Sequence, residues 1–435
     1  MSMTLHIDMA DGPIDRPRSI TASGLARGVA RLTASFTHPD GSIWQSRAAF
    51  AIAEDGALDV ATAVPLEGSW QDTEPMAPVW ALRQVSAPVD PKLSDSTEPR
   101  RIALHLVDAA GKEAQTTIVQ HLVAPGVTRR EVREGDLSGT LFTPPGEGPH
   151  PLIVLLNGSG GGTPESRAAL FASHGYAAFA LAYFKAPGRP EYISATPLEY
   201  FEQALAWAAR ELQPRAGFIA VAGHSRGGEL ALLLASTFPE RISAVIGYVP
   251  SAVIHGTLRA GRPDEPRDAT AWIWRGEPLR NIWHNNPDAD WHAFDPPSAP
   301  DVPLRQAPAF LTVERNAEFT AAARIPVERI AGPVLVISGS DDGFWPSEAY
   351  CDRIKADLVA REHPWPVEHV HNAGAGHAIG FPFVPTTDIA KVHPVAGVAI
   401  DGGGTPVANA RANRRSWERV LAFLAAARAE HEAQT

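Results

Sequence analysis

Cysteine is almost absent: Cys351 is the only one in 435 residues. No internal disulfide can form, so nothing points to an oxidising compartment. No apolar run is long enough to span a bilayer. Residues 1–12 contain no apolar signal core and carry Asp8 and Asp11, and the final Ala433-Gln434-Thr435 is no peroxisomal address. These absences make the cytoplasm the expected location and a membrane an unexpected partner. A basic surplus is also missing, since 38 Lys and Arg face 49 Asp and Glu for a net charge of -11. That balance argues against a nucleic-acid partner. There is no H-E-x-x-H, no G-x-x-x-x-G-K-[ST], no Rossmann glycine spacing and no tandem repeat. The expectation is a protein with no cofactor and no metal. What is present is ordinary globular composition, 44% hydrophobic and 20% charged, in a chain long enough for two or three domains.

The most informative segment is Gly223-His224-Ser225-Arg226-Gly227-Gly228, a G-x-S-x-G match. An apolar run, Phe218 to Ala222, precedes it and reads as a buried strand; Glu229 to Ser236 follows and reads as a helix. Strand, turn and helix are the context in which this motif means a nucleophile elbow. Glycine neighbours let strand and helix approach closely around a strained turn, which lifts the Ser225 hydroxyl toward a substrate.

A serine hydroxyl is a weak nucleophile at neutral pH. It needs a histidine to take its proton and a carboxylate to hold the imidazole tautomer. Downstream, the apolar strand Pro333–Ser338 leads into Gly339-Ser340-Asp341-Asp342-Gly343. A second short strand, Pro366–Val370, is followed by Asn372-Ala373-Gly374-Ala375-Gly376-His377. The order Ser, Asp, His is that of α/β-hydrolases. His377 is the expected base and Asp342 the preferred orienter; the adjacent Asp341 is the alternative, with an Asx-turn or helix cap as its structural role. The oxyanion of the intermediate needs two donors. The backbone N–H of Arg226 is one, and that of Ser159 is the other, in the glycine-rich loop Asn157–Gly162 after the strand Pro151–Leu156.

Up to about Pro125 short stretches alternate polar and apolar, as in Leu32, Ala34, Phe36 and again Ile102, Leu104, Leu106, with turns at Pro39-Asp40-Gly41 and Ala110-Gly111-Lys112. This pattern predicts a β-sandwich over residues 1–125. Over 126–435 strands and helices alternate, which predicts a mostly parallel, doubly wound sheet ending in a helix over Arg414–Ala429. Within it, residues 251–324 break the alternation and are rich in Pro, Asp and Trp, including Trp272, Trp274, Trp283 and Trp291. Two readings stand: a cap over the site, or a surface insertion whose tryptophans pack on the core. His224 is expected to bond locally, Arg226 to be structural and paired with Glu229, Cys351 to be packed and inert on a helix, and His369 and His371 to share a face without enough neighbours for a metal.

These residues resemble the acyl-CoA thioesterase/bile acid-CoA:amino acid N-acyltransferase family. The likeness rests on Gly158–Gly162, Ala180-Leu181-Ala182-Tyr183, Gly223–Leu230, Ile325-Pro326-Val327-Glu328-Arg329, Gly339–Asp342 and Gly374–His377, with Glu74-Pro75-Met76 and Val132–Gly135 upstream. It implies an N-terminal immunoglobulin-like β-sandwich, a C-terminal α/β-hydrolase domain, and a small-molecule acyl substrate carried as a CoA thioester. By motif, Ser225 is then nucleophile, Asp342 orienter and His377 base. The acyltransferase branch carries cysteine at the nucleophile; this chain has Ser225, which favours hydrolysis over transfer to an amino acid. A carboxylic-ester or lactone hydrolase of the dienelactone type is the alternative, and the tryptophan-rich insertion and Arg226, where lysine is common, are departures that bear on the substrate.

Overall fold

Runs of apolar residues without alternation, such as Leu152–Leu156 and Ala244–Tyr248, are buried along their whole length, as strands covered on both faces must be. In the computed structural model, which describes residues 2–90, 93, 95–295 and 302–434, they form an eight-stranded sheet. Its order is Thr128–Val132, Ser138–Thr143, Ala177–Ala182, Leu152–Leu156, Ile219–His224, Ala244–Tyr248, Val334–Gly339 and Val367–Asn372. The first two pairings are antiparallel and the rest parallel. The chain leaves Leu152–Leu156 to one side and returns on the other as Ile219–His224. Ligands of open α/β sheets bind at such a reversal, outside the carboxyl ends of the strands. The loops that leave those two strands are Asn157–Gly162 and the turn at Ser225.

The chain divides into two compact units. The larger comprises Pro125–Gly380, Ile389–Gly404 and Arg415–Thr435 and contains this sheet. The smaller comprises Met1–Ala124 together with Phe381–Asp388 and Thr405–Arg414. The sequence assigned all of 126–435 to one domain. The structure instead gives those two late segments to the first unit, because their partners lie there. Phe383 joins its hydrophobic cluster, Thr386 N–H donates to Trp80 O at 3.0 Å, and Arg411 pairs with Glu74 at 2.6 Å. This unit holds a three-stranded and a seven-stranded sheet. Inward residues of both, Ile7, Ile20 and Leu58 from one and Leu32, Phe50, Leu104 and Ile118 from the other, share one cluster.

The last helix runs over Pro406–Gln434, longer than the expected Arg414–Ala429. Thr405 Oγ1 accepts from Ala408 N–H at 3.3 Å and Pro406 takes the first helical position, a start signal that lies eight residues before the expected one. The tryptophan-rich segment forms short pieces, Trp272–Trp274, Glu277–Pro278, Trp291–Phe294, Ala307–Val313 and Ala317–Ala323. Residues 296–301 of it lie outside the described residues. Trp272 and Trp283 are fully buried in the main cluster, and Trp274 and Trp291 pack against it. No helix among the described residues is long and apolar enough to cross a membrane.

Candidate active site

The strand Ile219–His224 ends in Ser225, whose φ of 57° and ψ of -120° lie in a region that non-glycine residues avoid. The helix Arg226–Thr237 starts at the next residue. A Cβ on Gly223 would stand 1.9 Å from Gly227 O, and one on Gly227 2.4 Å from Asn157 O. No side chain fits either place, so the glycines are what allow the reversal. Arg226 is the first helical residue, and its N–H is among those the helix itself leaves without an acceptor.

After the strand Val334–Gly339 the two neighbouring aspartates face different partners. Asp342 is buried and receives Phe344 N–H at 2.9 Å and Trp345 N–H at 3.3 Å. His377 Nδ1 lies 2.9 Å from both carboxylate oxygens of Asp342. Asp341 instead pairs with Arg305 and accepts Gly404 N–H at 2.8 Å. A nitrogen facing a carboxylate carries the proton, so His377 Nε2 is left as the acceptor. That Nε2 is buried and has no hydrogen-bond partner among the described residues. The Phe344 ring stacks on the imidazole at 4.4 Å, and His377 N–H donates to Gly402 O at 2.8 Å.

Ser159 lies in a loop pinned at several points. Asn157 Nδ2 donates to Gly161 O at 2.6 Å, Gly158 N–H donates to Asn157 Oδ1 at 3.0 Å, and Tyr183 O–H donates to Asn157 O at 2.7 Å. The site has two spaces. A small inner cavity of about 40 Å³ is walled by Phe294, Phe310, Phe344 and Trp345, with Thr257, Arg259 and Gln306. An open cleft of about 300 Å³ is bordered by Gly158, His224, His377, Lys391 and Pro394. Ser159, Ser225, Phe344 and His393 line both.

The Arg226 side chain points into the protein and pairs with Glu229 at 2.9 Å, with 3% and 0% of the two side chains exposed. Arg226 also donates to His255 O and Gly256 O, and Glu229 accepts Trp272 Nε1–H at 2.9 Å. Burial pushes the Glu229 carboxyl up, against the pull of Arg226. Three of the histidines whose proton affinity burial lowers lie around this site and are held neutral. Burial takes His224 and His255 well below the ordinary value, and it lowers His393 to about 4, with Arg259 and Lys185 adding to the effect. His224 bonds locally, its Nε2 3.0 Å from His377 O. Cys351 is buried on the helix Ser347–Ala360; His369 and His371 each face a carboxylate of that helix, Asp352 at 3.1 Å and Glu348 at 2.7 Å.

Sequence reasoning missed His393, which reaches the site from the segment Ile389–Gly404. The small strands Ala390–Val392 and Ala399–Asp401 were too short to announce themselves, and the histidine has no motif around it.

The sheet order and the strand–elbow–helix unit define an α/β hydrolase. Comparison with known proteins narrows this. Residues 196–429 match the C-terminal model, and residues 15–134 the N-terminal model, of the BAAT/acyl-CoA thioester hydrolase proteins. The chain is 32% identical to acyl-coenzyme A thioesterase 6 of Mus musculus, covering 98% of this chain and 96% of that one. It is 30% identical to the mouse peroxisomal succinyl-coenzyme A thioesterase, covering 94% and 93%. Among solved structures, a Mycobacterium tuberculosis puromycin-hydrolyzing peptidase superposes with a TM-score of 0.42 at 14% identity, covering 89% of this chain and 53% of that one. The chain belongs to the BAAT/acyl-CoA thioester hydrolase family and is an acyl-CoA thioesterase-like hydrolase.

Replacing Glu229 with Ala strands a buried guanidinium; the expected cost is about 3–5 kcal/mol in a urea unfolding curve, and a loss under about 1 kcal/mol would show that the pair holds little. The neutral histidines give stability a pH dependence. In the unfolded chain they take up protons near pH 6.5, while in the folded chain they do so only at lower pH, so stability is complete above that value and falls as pH drops from about 6.5 toward 4, by up to about 1.4 kcal/mol per unit for each group. Glu229 acts with the opposite sign. Urea midpoints at pH 7.5, 6.5 and 5.5 are expected to decline in that order.

Proposed function

We propose that this protein hydrolyses acyl-CoA thioesters through a seryl acyl-enzyme on Ser225. The observation that carries the reading is His377, tied through Nδ1 to Asp342 and presenting, in the cleft that Ser225 lines, an Nε2 with no partner among the described residues. Ser225 Oγ attacks the thioester carbonyl while His377 Nε2 takes its proton. The negative charge that forms on the carbonyl oxygen is met by the backbone N–H groups of Arg226 and Ser159. The C–S bond breaks, and His377 returns the proton to the departing thiolate. Water then enters, gives its proton to His377 and cleaves the seryl ester, and Ser225 recovers its hydrogen as the carboxylate leaves. Asp342 keeps the imidazole in the working tautomer and offsets its transient charge.

The inner cavity, walled by aromatic rings, suits the acyl group, and the open cleft past Lys391 suits the CoA portion. Residues 251–324 act as a cap, since Phe294, Gln306 and Phe310 of that segment wall the acyl cavity. The unit built on Met1–Ala124 is an immunoglobulin-like β-sandwich that carries none of the reacting groups. Serine in place of cysteine supports hydrolysis over N-acyl transfer, because a seryl ester is readily released to water.

The test is thiol release from acyl-CoAs of graded chain length, with simple aryl esters in parallel. Ser225→Ala is expected to lower kcat by at least about 10⁴-fold with an unchanged melting curve; unchanged turnover would end the assignment. Rapid aryl-ester cleavage with inert acyl-CoAs would move the enzyme to the dienelactone type of substrate. Asp342→Asn is expected to cost about 10⁴-fold in kcat through the wrong tautomer, and Asp341→Asn far less, since its carboxylate is spent on Arg305 and Gly404. The reverse ranking would reassign the orienter.

A further inference from the structure

Beside Ser225 a second buried histidine makes a contact that the reaction just described leaves unused. His393 is 5% exposed. Its Nδ1 receives two backbone donors, Val395 N–H at 3.3 Å and Ala396 N–H at 3.2 Å. A ring nitrogen that accepts carries no proton, so in the neutral ring the hydrogen sits on Nε2. Neutrality follows from the surroundings, where burial and the cations Arg259, Lys185 and Arg226 all oppose protonation. Nε2 lies 2.9 Å from Ser159 Oγ, and His393 is therefore the donor in that bond. Ser159 Oγ is the acceptor, and its own hydrogen is left to point elsewhere. Ser159 lines both the acyl cavity and the open cleft together with Ser225. The adjoining Gly158 is close enough that a Cβ on it would stand 3.8 Å from Ser225 Oγ.

We infer that the Ser159 hydroxyl, oriented by His393, is a side-chain donor to the oxygen of the reacting carbonyl, additional to the backbone N–H groups. Two features make it effective. A hydroxyl that already accepts a hydrogen bond is polarised and donates more strongly. It is also fixed in advance, so little reorganisation is needed as charge develops. The mount is rigid as well: Lys185 donates to Pro394 O, and Gly160 is packed so closely that its Cβ would meet Pro394 at 3.2 Å. No proton is transferred; Ser159 is a catalytic donor and His393 a positioning residue.

The inference rests on Ser225 as nucleophile, and the variants separate the two. Ser159→Ala is expected to lower kcat for acyl-CoA hydrolysis by about 100-fold with KM little changed, the size seen when one oxyanion donor is lost. His393→Asn keeps an acceptor where Nδ1 stands, and so the turn at Val395 and Ala396, but cannot reach Ser159. It is expected to lower kcat in the Ser159 enzyme and to have no further effect in the Ser159→Ala background. His393→Gln, which places an N–H near the Nε2 position, is expected to restore part of the rate. A Ser159→Ala enzyme with kcat within about 2-fold of the parent, or a His393→Asn effect of the same size in both backgrounds, would overturn the inference while leaving Ser225 in place. Thiol release that survives Ser225→Ala would overturn the proposed reaction itself.

Discussion

Everything at this site hangs on the reversal of the chain at Ser225. The backbone is held there in a conformation that costs on the order of 1–3 kcal/mol for a non-glycine residue. It persists because strand and helix on either side are fully engaged: Ser225 N–H donates to Tyr248 O at 2.8 Å, and Ser225 O accepts Glu229 N–H at 3.0 Å. Two glycines give the room, and neither tolerates a methyl group. One turn thus sets the direction of the hydroxyl, the start of a helix and the place of the Arg226 N–H. Those features cannot be adjusted separately.

The helix after that turn is anchored by charge as well as by packing. A fully buried arginine–carboxylate pair is weak evidence for net stability, because desolvation offsets most of the attraction. Its geometric value here is clearer. Glu229 bonds to Arg226 and to Trp272, and Arg226 reaches the backbone at His255 and Gly256. The irregular segment that follows the Ser225 unit is fastened to the helix Arg226–Thr237 at three points, and its tryptophans serve as core. Packing on the core and walling the cavity turn out to be compatible roles for the same stretch of chain.

The α/β sheet was legible because buried parallel strands leave long apolar runs, and the elbow because glycines must flank a strained serine. Asp341 and Asp342 could be narrowed only by habit of position; side-chain direction at two adjacent loop residues depends on what the loop meets, here Arg305 and Gly404 on one side and the imidazole on the other. The segment Ile389–Gly404 was not legible at all. Its strands have three residues each, and its effect comes from contacts far along the chain: Gly402 with His377, Gly404 with Asp341, His393 with Ser159. Single-sequence patterns report on neighbours three or four residues away, and a loop that joins three other loops leaves no such trace. The early start of the last helix is different in kind. Thr405-Pro406 is a readable cap, masked by the irregular, glycine-rich stretch before it.

The interleaving of the two units has a consequence for biosynthesis. A ribosome releases residues in order, so Met1–Ala124 emerges long before Phe381–Asp388 and Thr405–Arg414 exist to complete its core. Until then Trp80 O and Leu82 O lack the Thr386 and Thr387 donors they hold in the finished protein, and the place of Phe383 in the cluster stays empty. The nascent first unit must wait, incompletely closed, through the synthesis of the whole sheet of the second. A chain of this design completes the core of its first unit with segments made after the sheet of its second.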